Sequence, residues 1–202
     1  MTWGRLRISP GFLLLMAWLL YWDGQGIVPL ALLACALHEG GHWAAIRLLG
    51  SDVRQITLTV SGAAMELTAG LSYGGELLAA VAGPLINLLL SALFCRFSWG
   101  ELFAGLNLAL AAFNLLPVMP LDGGRILRCA LCIAAGERAA ELICGGLGLL
   151  LSGALLALAL WAVGKGGNLT LLLVSLWVLW GRRGREIWGK YGKRVVTAGG
   201  RG

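Results

Sequence analysis

His38 and His42 are the only two histidines in the 202-residue chain, and they stand four apart with Glu39 beside the first: His38-Glu39-Gly40-Gly41-His42. On a helix, residues four apart project from one face. Two imidazoles so placed can grip one metal ion, and Glu39 is near enough to reach a water on it. Zinc suits two neutral imidazoles and a carboxylate, and it keeps a fourth position for water. It lowers the pKa of that water, for which Glu39 is then the general base. The alternative is a pair of helix-surface histidines that merely cap polar neighbours. The surrounding run is apolar, however, and ionisable groups inside apolar spans are costly and functional by default.

With no histidine left, a third ligand must be Asp, Glu or Cys. Asp122 is the best candidate. It lies in Asn114-Leu115-Leu116-Pro117-Val118-Met119-Pro120-Leu121-Asp122-Gly123-Gly124, where two prolines and two glycines break a helix. Broken backbone at membrane depth is tolerated where it lines a cavity, which would let Asp122 turn inward. The competing role is an ordinary N-cap at the start of the next helix. Cys35 lies one turn from His38 and reads as a small packing residue. His42 and Asp122 each lie near the cytoplasmic end of their spans, His42 ~10 Å from Gly50.

The elements that must hold these residues are membrane helices. Hydrophobic residues make up 58% of the chain and charged ones 13%, with a mean hydropathy of +0.81. A soluble chain carries roughly 25% charged residues. Six apolar stretches, 8–22, 27–49, 76–98, 102–119, 142–163 and 168–181, approach the ~20 residues a spanning helix needs. Residues 123–135 read as a helix at the interface or as a continuation of the fourth span. Six spans put both termini on one side, with Arg5, Arg7, Arg47, Arg54, Arg125, Arg128, Arg138 and the basic tail 182–202. Arg96 and Lys165 fall on the other. The positive-inside rule makes the termini cytoplasmic. The net charge of +6 is concentrated in that tail, which suits anionic lipid, so no nucleic-acid partner is expected. The first apolar run has no small-residue cleavage site at Tyr21, Trp22 and Asp23, so it is read as a span and not as a leader.

Residues 53–67 break the helical pattern. Ile56, Leu58 and Val60 alternate with Thr57, Thr59 and Ser61, a period of two. Gly62 suits a turn, and 63–67 a returning strand. The expected fold is therefore all-α and polytopic, with about six transmembrane helices and a small membrane-associated β-hairpin between the second and third. One domain is expected over 1–202, with a catalytic core at about 27–135. The five cysteines form no disulfide framework, and Cys129-x-x-Cys132 lacks the context of a redox or zinc motif.

Together these motifs resemble the site-2 protease family of intramembrane zinc metalloproteases. The family's H-E-x-x-H matches residues 38–42, and its N-x-x-P-x-x-x-x-D-G matches Asn114 to Gly123. A G-P-x-x-N element matches Gly83-Pro84-Leu85-Ile86-Asn87. The resemblance implies zinc on His38, His42 and Asp122, with Glu39 as base. It implies that Asn87 or Asn114 hydrogen-bonds the substrate backbone or oxyanion. It also implies that the family's membrane-associated sheet maps to residues 53–67 and accepts substrate by strand addition; the alternating stretch Ile56 to Val60, with Ile56, Thr57 and Leu58, is the edge expected to pair. The expected function is hydrolysis of membrane-embedded or membrane-associated proteins in the bacterial cell membrane, with a membrane regulator as a further partner. The compact layout is similar to the stage IV sporulation FB proteases, which release a precursor sigma factor; an anti-sigma factor is the other substrate considered. No room exists for a PDZ domain between the motifs, and no CBS pair is expected after the tail. Two rival readings are an inactive homologue serving as a membrane binding subunit, and a metal transporter. Intact His38, Glu39, His42 and Asp122 disfavour the first. The lack of further histidines along a path disfavours the second.

Overall fold

The computed structural model describes residues 2–3, 6–60, 62–166 and 169–181. The basic tail 182–202 and Arg5 lie outside them. The described chain divides into two compact units, one of residues 1–69 and 78–114 and the other of residues 70–77 and 115–202.

The first unit begins with strands β1 (Thr2–Trp3) and β2 (Leu6–Ile8). Ser9 then starts helix α1 (Pro10–Trp22), its hydroxyl accepting from Phe12 N at 3.2 Å, with Pro10 in the first turn, where its missing N–H costs nothing. Asp23 ends that helix and caps the next. Its carboxylate oxygens accept from Ile27 N and Val28 N, each at 3.0 Å, so α2 (Ile27–Leu48) starts after a four-residue reversal. Gly50 follows α2 at φ +79°, a conformation glycine adopts without steric cost. Arg47 and Asp52 pair at 2.8 Å at this corner.

Strands β3 (Val53–Thr59) and β4 (Gly62–Leu67) form the expected hairpin, antiparallel with Ile56 opposite Met65 and Leu58 opposite Ala63. The sheet is larger than the alternation at 53–67 suggests. Strand β2 lies parallel to β3, Leu6 opposite Ile56, Arg7 opposite Thr57 and Ile8 opposite Leu58, and β1 pairs with β2. Strand order is β1-β2-β3-β4. The expectation that Ile56, Thr57 and Leu58 present an edge to substrate is therefore corrected. Both flanks of β3 are taken up by ladder hydrogen bonds, and the edges of the sheet among the described residues belong to β1 and β4. Strand β2 holds three residues, Leu6–Ile8, too few for period-two alternation to register.

Helix α3 (Tyr73–Phe94) starts in the second unit and continues into the first. A 3₁₀ turn (Ser98–Gly100) and α4 (Glu101–Asn114) complete the first unit. Three buried stripes at four-residue spacing make its helical core: Ala34, His38 and His42 on α2; Ala79, Gly83 and Asn87 on α3; Phe103, Asn107 and Ala111 on α4. Each is one face of a helix. The small members permit close approach, as in packed membrane helices. A Cβ at Gly41 would come within 2.8 Å of the Ala82 carbonyl oxygen.

The second unit holds the loop 115–121, α5 (Asp122–Ala135), α6 (Glu137–Gly164) and α7 (Thr170–Gly181). Each of the six expected apolar stretches falls mainly on a helix, although Ile8 ends β2, α3 covers 73–94 against the expected 76–98, and residue 168 lies outside the described residues. Those at 102–119 and 142–163 differ at their ends: α4 stops at Asn114, before the prolines, and α6 begins at Glu137. Among the described residues, α3 and α6 are the two helices long and apolar enough to cross a membrane. Leu142, Leu149, Leu150 and Trp161 on α6 are all more than 60% exposed, a surface that lipid accommodates and water does not.

Candidate metal centre

His38 and His42 are both buried and held from behind. His42 Nδ1 lies 2.7 Å from the Ala79 carbonyl oxygen, and His38 Nδ1 lies 2.5 Å from Asn87 Oδ1. A backbone carbonyl only accepts, so His42 carries its proton on Nδ1 and its Nε2 is the acceptor. The same donation from His38 Nδ1 leaves Nε2 as acceptor there too. The two Nε2 atoms stand 3.1 Å apart, with the rings nearly perpendicular at 86°. Two acceptor nitrogens aimed at one point make a donor pair for a cation, and neutral imidazole with carboxylate is the set that zinc takes.

Gly83 makes this arrangement possible. A Cβ there would overlap His42 Nε2 and come within 2.9 Å of His38 Cε1. Pro84, next to it, is buried and returns no N–H to the preceding turn. Gly83 thus gives α3 a flat spot against which both rings lie. Glu39 is half-buried on α2 between the histidines.

In the second unit, Asp122 is the first residue of α5 and is 7% exposed. It begins that helix and does not end α4, which stops eight residues earlier. Its backbone position follows from the loop. Leu121 N donates to the Val118 carbonyl at 2.9 Å, and Gly124 N to the Leu121 carbonyl at 3.1 Å. A Cβ at Gly123 would overlap the Leu115 carbonyl, and one at Gly124 would come within 2.6 Å of Met119 N. Both glycines therefore let the loop fold tightly onto the first turn of α5. The helix N-terminus favours a charged carboxylate at Asp122. Arg125 Nη1 lies 3.4 Å from its Oδ1, and Arg125 Nε lies 3.9 Å from Glu76.

The remaining predicted residues have mixed outcomes. Asn87 is completely buried, and both ends of its amide are engaged within the protein: Oδ1 with His38, Nδ2 with Asn107 Oδ1 at 2.7 Å and with the Ala34 carbonyl at 3.3 Å. Among the described residues the bonds of Asn87 therefore run to a candidate ligand, His38, and to two groups on neighbouring helices. Asn114 Nδ2 donates to the Leu110 carbonyl at 3.1 Å in the last turn of α4. Asn107 was not singled out from sequence. Its signal was there, a lone amide inside an apolar helix, which membrane helices rarely keep without a purpose. The Cys129 and Cys132 thiols are buried on α5, and burial pushes Cys129 up to about 12, with Glu76 adding to it. That agrees with packing residues in place of a redox pair.

Residues 97–155 match the model of peptidase family M50. The zinc metalloprotease of Methanocaldococcus jannaschii is 32% identical over 163 residues, covering 75% of this chain and 47% of that protein. Rip3 of Mycobacterium tuberculosis, named as a zinc metalloprotease, is 31% identical over 187 residues, covering 81% and 44%. The solved site-2 protease from Methanocaldococcus jannaschii superposes with a TM-score of 0.67 at 26% identity, covering 90% of this chain and 91% of that one. In sequence and in fold the chain is similar to the site-2 protease family. It spans about half the length of the curated relatives it matches. The M50 match takes in Asp122 and the loop before it, and the His38–His42 motif lies upstream of it.

Proposed function

We propose that this protein is a member of the site-2 protease family, a zinc-dependent endopeptidase that cuts membrane-embedded or membrane-associated proteins. The observation that carries this reading is the convergence of His38 Nε2 and His42 Nε2 at 3.1 Å, each ring held through Nδ1, with Glu39 between them on α2.

His38, His42 and Asp122 would hold the zinc, all three being buried. Two imidazoles and one carboxylate match the protein ligands of catalytic zinc sites that keep a position for water. Zinc, when bound, supplies Lewis acidity toward water and the scissile carbonyl. Glu39 accepts the proton of the attacking water on its carboxylate and delivers it to the leaving amine nitrogen. Asn114, at the end of α4, is the remaining amide suited to the substrate backbone. The two compact units together would make one protease domain with its core at about 27–135.

A bilayer-spanning set of six helices, α1 to α4, α6 and α7, with both termini cytoplasmic, is the topology that goes with this function. It is supported by six apolar helices and by the charge asymmetry of the loops. Peptide bonds in a helical substrate are hydrogen-bonded and shielded, so the substrate must be extended before cutting. The β4 edge of the sheet is suited to receive it.

The deciding experiment co-expresses the full chain with tagged single-span proteins and membrane-tethered precursors, sigma and anti-sigma factors among them. Wild type is compared with Glu39→Gln. An endopeptidase yields cleavage that Glu39→Gln abolishes. Cleavage by neither protein, with zinc bound by both, would favour a binding subunit; zinc movement across vesicles unchanged by Glu39→Gln would favour a transporter.

A further inference from the structure

Two asparagines 20 residues apart are the largest fully buried side chains in the described chain, and both lie behind His38. We infer that Asn107 and Asn87 form a directional hydrogen-bond relay that fixes the tautomer of His38, making Asn107 a positioning residue for the metal centre. The relay presupposes the zinc reading above only for its purpose; its structure stands on hydrogen-bond direction alone.

The direction is set at one end by a group that cannot reverse. The Phe103 backbone carbonyl only accepts, and it lies 2.8 Å from Asn107 Nδ2. The Asn107 amide is thereby turned with Oδ1 toward α3. That oxygen accepts from Asn87 Nδ2 at 2.7 Å. The Ala34 carbonyl, a second group that only accepts, takes the other proton of the same nitrogen at 3.3 Å. Asn87 Oδ1 is left facing His38 Nδ1 at 2.5 Å, and as an oxygen it can only accept. His38 must then hold its proton on Nδ1 and present Nε2 as a lone pair, the form a metal ion requires. Were Asn87 flipped, its NH₂ would face Nδ1, the proton would move to Nε2, and His38 could not ligate through that atom. His42 needs no such relay, because the Ala79 carbonyl performs the same task directly.

Both asparagines are 0% exposed. A buried amide is retained only when its partners satisfy it, and outer partners of metal-ligating histidines set ring orientation and basicity. Burial and direction together therefore give Asn107 a role at the site, although it does not touch His38.

Because the chain has only two histidines, ¹⁵N-histidine labelling of the full-length protein in lipid nanodiscs reports both tautomers without assignment by mutation of the ligands. Metal-free wild type should show a proton on Nδ1 of both rings. Asn107→Leu, which keeps the volume and removes the relay, should shift His38 toward mixed tautomers and leave His42 as it was. Zinc affinity, measured by titration against a competing chelator, should fall ~10–100-fold. Asn107→Asp, held as the neutral acid by this apolar setting, keeps an O–H for the Phe103 carbonyl and an acceptor for Asn87, and should recover most of the affinity. Melting temperatures of the metal-free variants accompany each measurement. An Asn107→Leu protein with the His38 tautomer and zinc affinity of wild type overturns the relay, and so does an equal disturbance of both histidines. A wild type that binds no zinc while Asn107→Leu still alters His38 alone would retire the zinc reading and keep the relay.

Discussion

His38 Nδ1 donates to Asn87 Oδ1 across 2.5 Å, joining residues 49 apart in the chain. The bond ties the H-E-x-x-H helix to the G-P-x-x-N helix through one buried amide. It also accounts for the spacing of the second motif. Gly83 and Asn87 are four apart on α3, so the residue that clears space for the rings and the residue that orients one of them lie on the same face.

Loss of ligands and loss of the base should separate cleanly. His38→Ala, His42→Ala and Asp122→Ala should each lower zinc content well below the one ion per chain expected of wild type, and each should abolish cutting. Glu39→Gln should keep zinc near one per chain and lower the cleavage rate by at least ~10²-fold, the scale of general-base catalysis. Metal analysis of purified protein alongside a cleavage assay checks both. Full zinc and activity in Asp122→Ala would exclude it as the third ligand.

Gly83→Ala tests the contact between α3 and the rings. The added methyl would overlap His42 Nε2, so the rings must move, and zinc affinity should fall at least tenfold. Overpacking of this kind costs about 1–3 kcal/mol of stability. Gly105→Ala on α4 is the control, because nothing lies within 4 Å of its Cβ position. There the substitution should be neutral or stabilise by about 0.5–1 kcal/mol, through the helical preference of alanine over glycine. Thermal denaturation and zinc titration of the two variants give the comparison.

The candidate metal ligands were legible because their chemistry is local. His38, Glu39 and His42 sit within one helical turn and a half, and a helix fixes their relative direction whatever surrounds it. Asp122 stood out through its prolines and glycines, which mark a backbone break, and the helix expected over 123–135 starts one residue earlier, at Asp122 itself. Pairing across distance was not legible. The parallel ladder of β2 on β3 joins residues 6–8 to residues 56–58, and nothing in a three-residue strand announces its partner. A substrate contact at Asn87 or Asn114 was what the family resemblance implied, and a motif says nothing of which neighbours an amide meets. Asn107, the partner of Asn87 on another helix, sets which way that amide faces.

Thiol chemistry gives an independent check on α5. Burial raises Cys129 to about 12, so almost none of it is thiolate at pH 8, and thiolate is the form that alkylates. Cys95, at the end of α3, is exposed. In detergent-solubilised folded protein, iodoacetamide at pH 8 should label Cys95 well before Cys129. Cys129 should react only after unfolding. Mass spectrometry of peptic peptides reads the order. Rapid labelling of Cys129 in folded protein would mean that α5 is not packed as described.

The sheet offers the sharpest test of how substrate enters. Proline removes a backbone donor and is tolerated at sheet edges but not in central strands. Strand β3 is central, with β2 on one flank and β4 on the other. Thr57→Pro should therefore disrupt the ladder and reduce the yield of folded protein, with zinc lost in the same proportion as activity. Strand β4 has one flank on β3 and one beyond it, and successive N–H groups alternate between the flanks. Of Ala63→Pro and Ala64→Pro, one should break pairing with β3 and behave like Thr57→Pro. The other should remove only an outward donor. That variant should hold zinc at the wild-type level and melt within a few degrees of wild type, yet cut a helical membrane substrate several-fold more slowly. The same variant should cut a short, already extended peptide at the wild-type rate, since no strand needs to be drawn out of a helix. If both alanine positions accept proline with zinc and cleavage of the helical substrate unchanged, substrate does not pair with β4, and the edge serves only to close the sheet.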